Sequence, residues 1–281
     1  MGLLSGLGGM GLGDLEGMSL YEDPKAPVHT DNQEAEVEAP KISESDFLFE
    51  KSFSCPICNH TFKSIAVRAG KSKLTGTDID LRAKYDNVEP LKYDVVMCPY
   101  CGCTSLARYW GNPTSTQAKN IREKISVNFK PKAYKGNKYT YDEALERYQM
   151  ALANAIVKGA KASEKAYICL KAGWLLRSKQ ESLDKASETY EQDMSAARTA
   201  EDEYLKNALE GFIAARANEM MPICGMDEST LDYLIAALSI RFKEYERASK
   251  LVGNLLVSRN ANSRIKEKAY DLKELIKQEK N

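Results

Sequence analysis

From Thr140 to the end of the chain, apolar residues recur every three or four positions, the period of helices buried along one face. Thr140-Tyr-Asp-Glu143 reads as a capping box. Leu145, Tyr148, Leu152, Ala155 and Ile156 then share a face. A second helix is expected from Ser163, with Ala166, Cys169, Leu170, Gly173, Trp174 and Arg177 in register. A long third helix is expected over Leu183–Met220, ended by Pro222 and Gly225. Ser229-Thr-Leu-Asp232 opens a fourth. Tyr245, Ala248, Leu251, Val252 and Leu255 mark a fifth, and Ile265, Ala269, Leu272 and Ile276 a sixth.

Before Thr140 the pattern changes. Residues 46–112 are rich in turn formers, with short strands expected at Ser52–Ser54, Phe62–Ala69, Tyr93–Met97 and Thr104–Tyr109. A short helix is expected from Ser115 to Lys124, and Pro131, Gly136 and Asn137 mark a boundary. Residues 1–45 show neither period. They combine a Gly/Leu/Met run with an acidic, proline-containing stretch, a composition that cannot bury enough apolar surface to offset its ordering entropy.

Three segments follow: a disordered leader at 1–45, a β module at 46–138 and a helical part at 139–281. Ala144, Ala151, Gly173, Ala208 and Ala248 are small residues where helical hairpins would approach closely, as in tetratricopeptide-type repeats. No strict 34-residue period repeats, so the array is degenerate. The expected fold class is α+β, a small zinc-ribbon-like β module followed by a TPR-like helical hairpin array. An ordinary helical bundle is the competing architecture.

Composition changes this picture little. The 281 residues carry 40 Lys+Arg and 40 Asp+Glu, so bulk charge selects no polyanionic partner. Its distribution is uneven. Residues 1–50 hold eleven acids and two bases, a balance of −9, and residues 51–138 hold sixteen bases and six acids, a balance of +10. No apolar run approaches the roughly 18 residues that span a bilayer. No charged segment precedes the Leu/Gly-rich start as in a signal peptide, and Gly6 stands where a myristoylation signal wants Ser or Thr. The expectation is a cytoplasmic protein without a membrane span.

The cysteines carry the strongest chemical signal. Cys55-Pro-Ile-Cys58 and Cys98-Pro-Tyr-Cys101 are two C-P-x-C knuckles, and the second runs into Gly102. Each spacing lets a tight turn aim two sulfurs at one ion, and two such pairs complete a tetrahedral Zn²⁺ site. Seven cysteines, an odd number, suit metal ligation better than a disulfide framework. The expected cofactor is one structural zinc held by Cys55, Cys58, Cys98 and Cys101. Four protein ligands leave no position for water or substrate. Cys103, Asn59 and His60 are spare candidates. Cys103 is expected to pack or to sit free, and His60 to lie at the surface or behind the ligands. Cys169 and Cys224 read as buried small hydrophobes, and Tyr148, Tyr167 and Trp174 as core.

Thirty-nine residues separate Cys58 from Cys98. The run C-P-x-C … V-R-x-G-K … D-x-D-L-R-x-x-Y … P-x-x-Y-D-V-x-x-C-P-x-C-G resembles the DUF2225 family of uncharacterised bacterial proteins, over roughly residues 50–250. The resemblance implies a zinc-ribbon-like N-terminal part and a repeat-like helical C-terminal part, and implies no activity. The family is expected to carry an aromatic and a small residue after the second knuckle, where this chain has Cys103-Thr104.

Three function classes remain. The first is a non-enzymatic zinc-binding adaptor that binds another protein through the concave helical surface. The second is a nucleic-acid-binding zinc ribbon whose helices serve as a homo-oligomerisation or partner platform. Lys63, Arg68, Lys71, Lys73, Arg82, Lys84, Lys92 and Arg108 are interleaved with Tyr85, Tyr93, Tyr100, Tyr109 and Trp110, which suits phosphate contact with base stacking. The third is a metal-dependent enzyme using Asp78 and Asp80, which share a face if they lie on a strand. Their competing reading is salt-bridge and turn chemistry with Arg68, Arg82 and Lys84. No Walker A, G-x-S-x-G or H-E-x-x-H motif is present. The adaptor is preferred, and any specific activity of the module is expected on the insertion carrying Arg68, Asp78, Asp80, Arg82 and Tyr93.

Overall fold

The structure, a computed structural model, describes residues 43–132, 134 and 136–280, the last without its side chain. The leader expected at 1–45 lies outside the described residues up to position 42. Its last three residues belong to the fold. Ser43 caps a short 3-10 turn, Glu44–Phe47. Glu44 holds Lys92 Nζ at 2.7 Å and accepts a hydrogen bond from Tyr93 OH at 2.9 Å.

Three antiparallel hairpins follow, each a sheet of two strands. In the first, β1 (Leu48–Ser54) pairs with β2 (Thr61–Val67), from Leu48 opposite Val67 to Ser54 opposite Thr61. Its turn is the first C-P-x-C knuckle. In the second, β3 (Leu74–Thr77) pairs with β4 (Ala83–Tyr85) around the loop that carries Asp78 and Asp80. The sequence pattern does not predict this pair, because Leu74-Thr-Gly-Thr and Ala-Lys-Tyr85 offer no apolar alternation. In the third, β5 (Val95–Met97) pairs with β6 (Thr104–Leu106), and the second knuckle turns the chain between them. Two-stranded hairpins are marginal in water, so what stabilises them lies outside their ladders.

Helix α1 (Ser115–Ile121) runs on into a wider π-type turn, Arg122–Ser126. Six longer helices follow among the described residues: α2 (Tyr141–Val157), α3 (Ala162–Ser182), α4 (Tyr190–Asn218), α5 (Glu228–Arg241), α6 (Tyr245–Val257) and α7 (Ser263–Lys280). The Thr140 capping box is present, with Glu143 N–H donating to Thr140 Oγ1 at 3.1 Å and Thr140 N–H to Glu143 Oε2 at 2.8 Å. The third long helix starts at Tyr190 and not at Leu183. Asp184 Oδ1 accepts from Ala186 N–H and Ser187 Oγ from Thr189 N–H, and these local turns compete with helix over residues 184–189. The fourth is capped two residues earlier than read, by Asp227, which accepts from Thr230 N–H at 2.7 Å.

Each helix packs on the next, and polar contacts between opposite ends show that neighbours run antiparallel. Lys179 near the end of α3 pairs with Asp142 at the start of α2. Glu219, at the end of α4, accepts from Ser163 N–H at 2.9 Å and Ser163 Oγ at 2.6 Å, closing the start of α3. Gly173 permits one close approach, since a Cβ there would lie 2.6 Å from Leu205 Cδ2. Leu170, Leu205, Phe212, Leu231 and Leu234 form a core among α3, α4 and α5. Each such side chain contributes about 1.5–3 kcal/mol when fully buried. Val252, Leu255, Ala269 and Leu272 form a second core around α6 and α7.

At residue 138 the secondary structure changes and the packing continues. Leu91, Val95 and Leu106 share one core with Tyr148, Ala151, Ile168 and Leu175 of α2 and α3. The Tyr148 hydroxyl, fully buried, donates to Leu91 O at 3.0 Å. The described residues from 43 onward accordingly make one compact unit. Among the described residues, no helix is long and apolar enough to cross a membrane.

Candidate metal centre

The turns of the first and third hairpins bring four thiols together. The Sγ atoms of Cys55, Cys58, Cys98 and Cys101 all lie within 4.8 Å of one another. Cys55 Sγ is 3.5 Å from Cys101 Sγ, and Cys58 Sγ is 3.6 Å from Cys98 Sγ. Four sulfurs about 2.3 Å from a tetrahedral ion would sit about 3.8 Å apart, so the donor set fits a soft metal ion. Cys55, Cys98 and Cys101 are buried, and Cys58 is half-buried.

The two knuckles use the same backbone device. Asn59 and Gly102, each following the second cysteine, take left-handed φ values of 62° and 70°. Asn59 N–H donates to Cys55 O at 3.0 Å, and Gly102 N–H to Cys98 O at 3.1 Å. Asn59 therefore turns the backbone. Asparagine tolerates that conformation, but position 102 needs glycine for a second reason, because a Cβ there would lie 2.5 Å from Phe129 Cδ2. Ile57 N–H donates to Cys55 Sγ at 3.4 Å.

An apolar shell encloses the sulfurs: Ile57, Phe62, Val96, Ala118 and Ile121, flanked by Phe53 and Trp110. Trp110 meets Phe53 and Phe62 edge-on, and its Nε1 donates to Ser54 O at 3.2 Å. Cys103 and His60 stand outside the four converging thiols. Cys103 is buried, and its carbonyl accepts from Cys98 N–H at 2.9 Å. His60 is exposed and stacks on Tyr100 at 4.4 Å.

Crowding in this shell spreads the thiol acidities. Hydrogen bonds from Cys101, Cys103 and Cys98 hold Cys55 far below an ordinary thiol. Contact with Cys55 and Cys98, with burial, pushes Cys101 far above one. A Cys101 hydrogen bond lowers Cys98, but Cys55 and burial outweigh it and leave Cys98 at about 11. A divalent ion at the centre of the sulfurs would favour their thiolate forms by neutralising charge there.

Asp78 and Asp80, the alternative site, sit in the β3–β4 loop and dock on the helices. Arg177 of α3 pairs with Asp80 at 2.8 Å, Asp78 at 3.0 Å and Glu201 of α4 at 2.8 Å. Trp174 Nε1 donates to Asp80 at 3.1 Å. Asp78 also takes Arg82 at 2.7 Å and Lys84 at 2.9 Å. Burial raises the Asp78 pKa, but hydrogen bonds from Lys84, Arg82 and Arg177 outweigh it and hold the group at about 2. Arg82, its side chain 2% exposed, reaches Ser178 Oγ at 2.8 Å and Glu181 at 2.5 Å. Tyr233 of α5 donates to Ile79 O at 2.8 Å, and Leu81 packs against both helical cores. The loop is an internal fastener between the module and α3–α5.

Other expected functional residues are engaged similarly. Arg68 Nε donates to Leu48 O at 3.0 Å and so does not join Asp78. Lys63 pairs with Glu50, Lys92 with Glu44, and Arg108 donates to Cys224 O. Lys71 and Lys73 remain exposed. Burial lifts the Cys169 thiol to about 11 and also raises Cys224. Sequence reasoning missed Arg177 as the hub. Its signal was present, since an arginine stood in register on the apolar face of α3.

A model of the family described as "Uncharacterized protein conserved in bacteria (DUF2225)" matches residues 48–276. No curated protein and no solved structure matches the chain.

Proposed function

The chain belongs to the DUF2225 family, and from that premise we propose a non-enzymatic cytoplasmic adaptor whose N-terminal module is held by one structural zinc. Zinc is the preferred metal because four thiolates in a tetrahedral arrangement select it over oxygen-seeking cations. Cys55, Cys58, Cys98 and Cys101 fill its coordination, leaving nothing to activate water. The ion fastens the β1–β2 and β5–β6 hairpins, each too small to be stable alone.

The observation that carries the reading is the internal engagement of Asp78 and Asp80. Both acids face guanidinium groups at 2.7–3.0 Å, which leaves neither free to hold a catalytic ion or to move a proton. Of the basic residues that suggested nucleic acid, Arg82 and Lys92 are buried in ion pairs. What remains is a rigid surface assembled from the module and the helices, suited to holding a partner protein.

A tagged pull-down of the full chain, with and without nuclease, followed by reciprocal capture of each identified protein, tests this. The reading expects a nuclease-resistant protein partner. Recovery of nucleic acid alone, or of nothing after nuclease, sinks it.

A further inference from the structure

One cleft joins the metal module to the helices with a distinct chemistry. It encloses about 410 Å³ between the second knuckle, the π-type turn after α1 and the start of α2. Its floor is apolar: Met97, Ile125, Phe129, Tyr134 and Met150. Phe129 lies on Gly102, and Met97 directly precedes Cys98, so the floor is braced by the metal centre. Methionines make such a floor adaptable to different side chains.

The rim is cationic. Lys124, Lys130 and Lys132 line it against one carboxylate, Glu146. Both Glu146 oxygens are taken by Lys132, at 2.6 and 2.7 Å. Lys124 and Lys130 make no ion pair among the described residues. Behind Tyr134 lies Arg147, 3% exposed, with its guanidinium 5.5 Å from the Tyr134 ring centroid and 4.4 Å from that of Tyr139. It donates to Ser64 Oγ and Val95 O and meets no carboxylate among the described residues. Three lysines thus line the apolar floor against one carboxylate, with the Arg147 charge buried behind Tyr134. That excess favours an anionic occupant, and the sulfur and ring surfaces favour one that also buries an apolar side chain.

We infer that this cleft is a docking site for an acidic peptide segment of a partner protein, with an apolar side chain on the Met97–Phe129–Met150 floor and flanking carboxylates on Lys124 and Lys130. The inference rests on the adaptor reading and names the surface and the chemistry of its partner.

The test uses the full, zinc-loaded chain and a fluorescent peptide with one central leucine flanked by glutamates, read by anisotropy. Binding is expected to weaken as salt rises. The double substitution Lys124→Glu/Lys130→Glu is expected to weaken it about tenfold or more. Met150→Asp should weaken it too, while Lys277→Glu, remote on α7, should leave it unchanged. Replacing the peptide's leucine with glycine, or its glutamates with lysines, should abolish binding. Unchanged affinity in the double charge reversal, or equal binding of the lysine peptide, overturns the inference. So does binding of a single-stranded oligonucleotide in place of the peptide. Cross-linking from position 130 to the chain's own Glu22–Glu38 also overturns it, by giving the cleft an internal occupant. If the double reversal leaves the pull-down partner bound, the cleft falls and the adaptor stands. An empty pull-down removes the adaptor itself.

Discussion

Replacing Arg177 with methionine tests the fastener between module and helices most sharply. Arg177 is the sole charged partner of Asp80 among the described residues, and it also serves Asp78 and Glu201. The Asp80 and Glu201 side chains are 8% and 2% exposed. After the substitution Asp80 keeps only Trp174 Nε1, while Glu201 keeps Arg241 at 3.0 Å and Gln180 at 2.7 Å. Breaking a buried ion pair by removing one partner costs about 3–5 kcal/mol. Because Glu201 retains a cation, the lower end, about 3 kcal/mol, is expected. Arg82→Met is the control. Arg82 is more deeply buried, yet each group it touches has another outlet. Asp78 keeps Lys84 and Arg177, Glu181 is half exposed, and Ser178 still donates to Glu89 at 2.6 Å. Methionine also keeps much of the apolar stem, so about 1–2 kcal/mol is expected. The less buried arginine should therefore be the costlier loss. Urea unfolding of the full chain at neutral pH, followed by circular dichroism, measures both. The reasoning is refuted if Arg82→Met destabilises as much as Arg177→Met. It also fails if Asp80→Asn does not reduce the Arg177→Met penalty, since coupled residues show interaction energies of about 0.5–3 kcal/mol.

Acid should loosen the same junction. The folded Asp78 pKa, about 2, lies below its unfolded value of 3.8. Its stabilisation is therefore complete above about pH 4 and is lost as pH falls through 4 toward 2. Screening at this half-buried site reduces it to roughly 1–2 kcal/mol. Asp78→Asn should flatten that part of the stability-against-pH curve, and an unchanged curve would contradict the assignment. Gly102→Ala meets both a left-handed φ of 70° and Phe129 at 2.5 Å, and should lower stability by about 2 kcal/mol or more. A thermal melt checks this, and in it Asn59→Gly, at the matching position of the other knuckle, should be near neutral. Gly173→Val drives a branched side chain into Leu205, 2.6 Å from where Cβ would sit. It should cost about 1–3 kcal/mol by urea unfolding, and Leu205→Ala should relieve part of that loss.

What could be read from the sequence was local. Ligand pairs three residues apart state their own turn geometry, so Cys55, Cys58, Cys98 and Cys101 were recognisable before any fold was known. The Thr140–Glu143 capping box and the helical faces depend on neighbours within a turn or two and were equally legible. The start of α4 was not, because hydroxyl and carboxylate side chains at 184–189 bind their own backbone and override the apolar period. The β3–β4 hairpin escaped because its order comes from its docked loop. Asp78 and Asp80 drew attention as a possible pair for chemistry, yet their principal partner is Arg177, 97 positions beyond Asp80. No spacing rule reaches that far. Asp78, Asp80 and Arg82 carry the connection between the module and α3–α5.

The central claim is that four cysteines close one zinc site on which the module's fold depends. The most direct measurement is elemental analysis of the full chain and of Cys98→Ser, purified under reducing conditions, with thermal unfolding of each in the presence and absence of a chelator. The account predicts about one zinc per wild-type chain, loss of that zinc in Cys98→Ser, and a melting temperature that falls on chelation only in the wild type. Equal zinc content in the two proteins, or a wild-type melt indifferent to chelation, would contradict it.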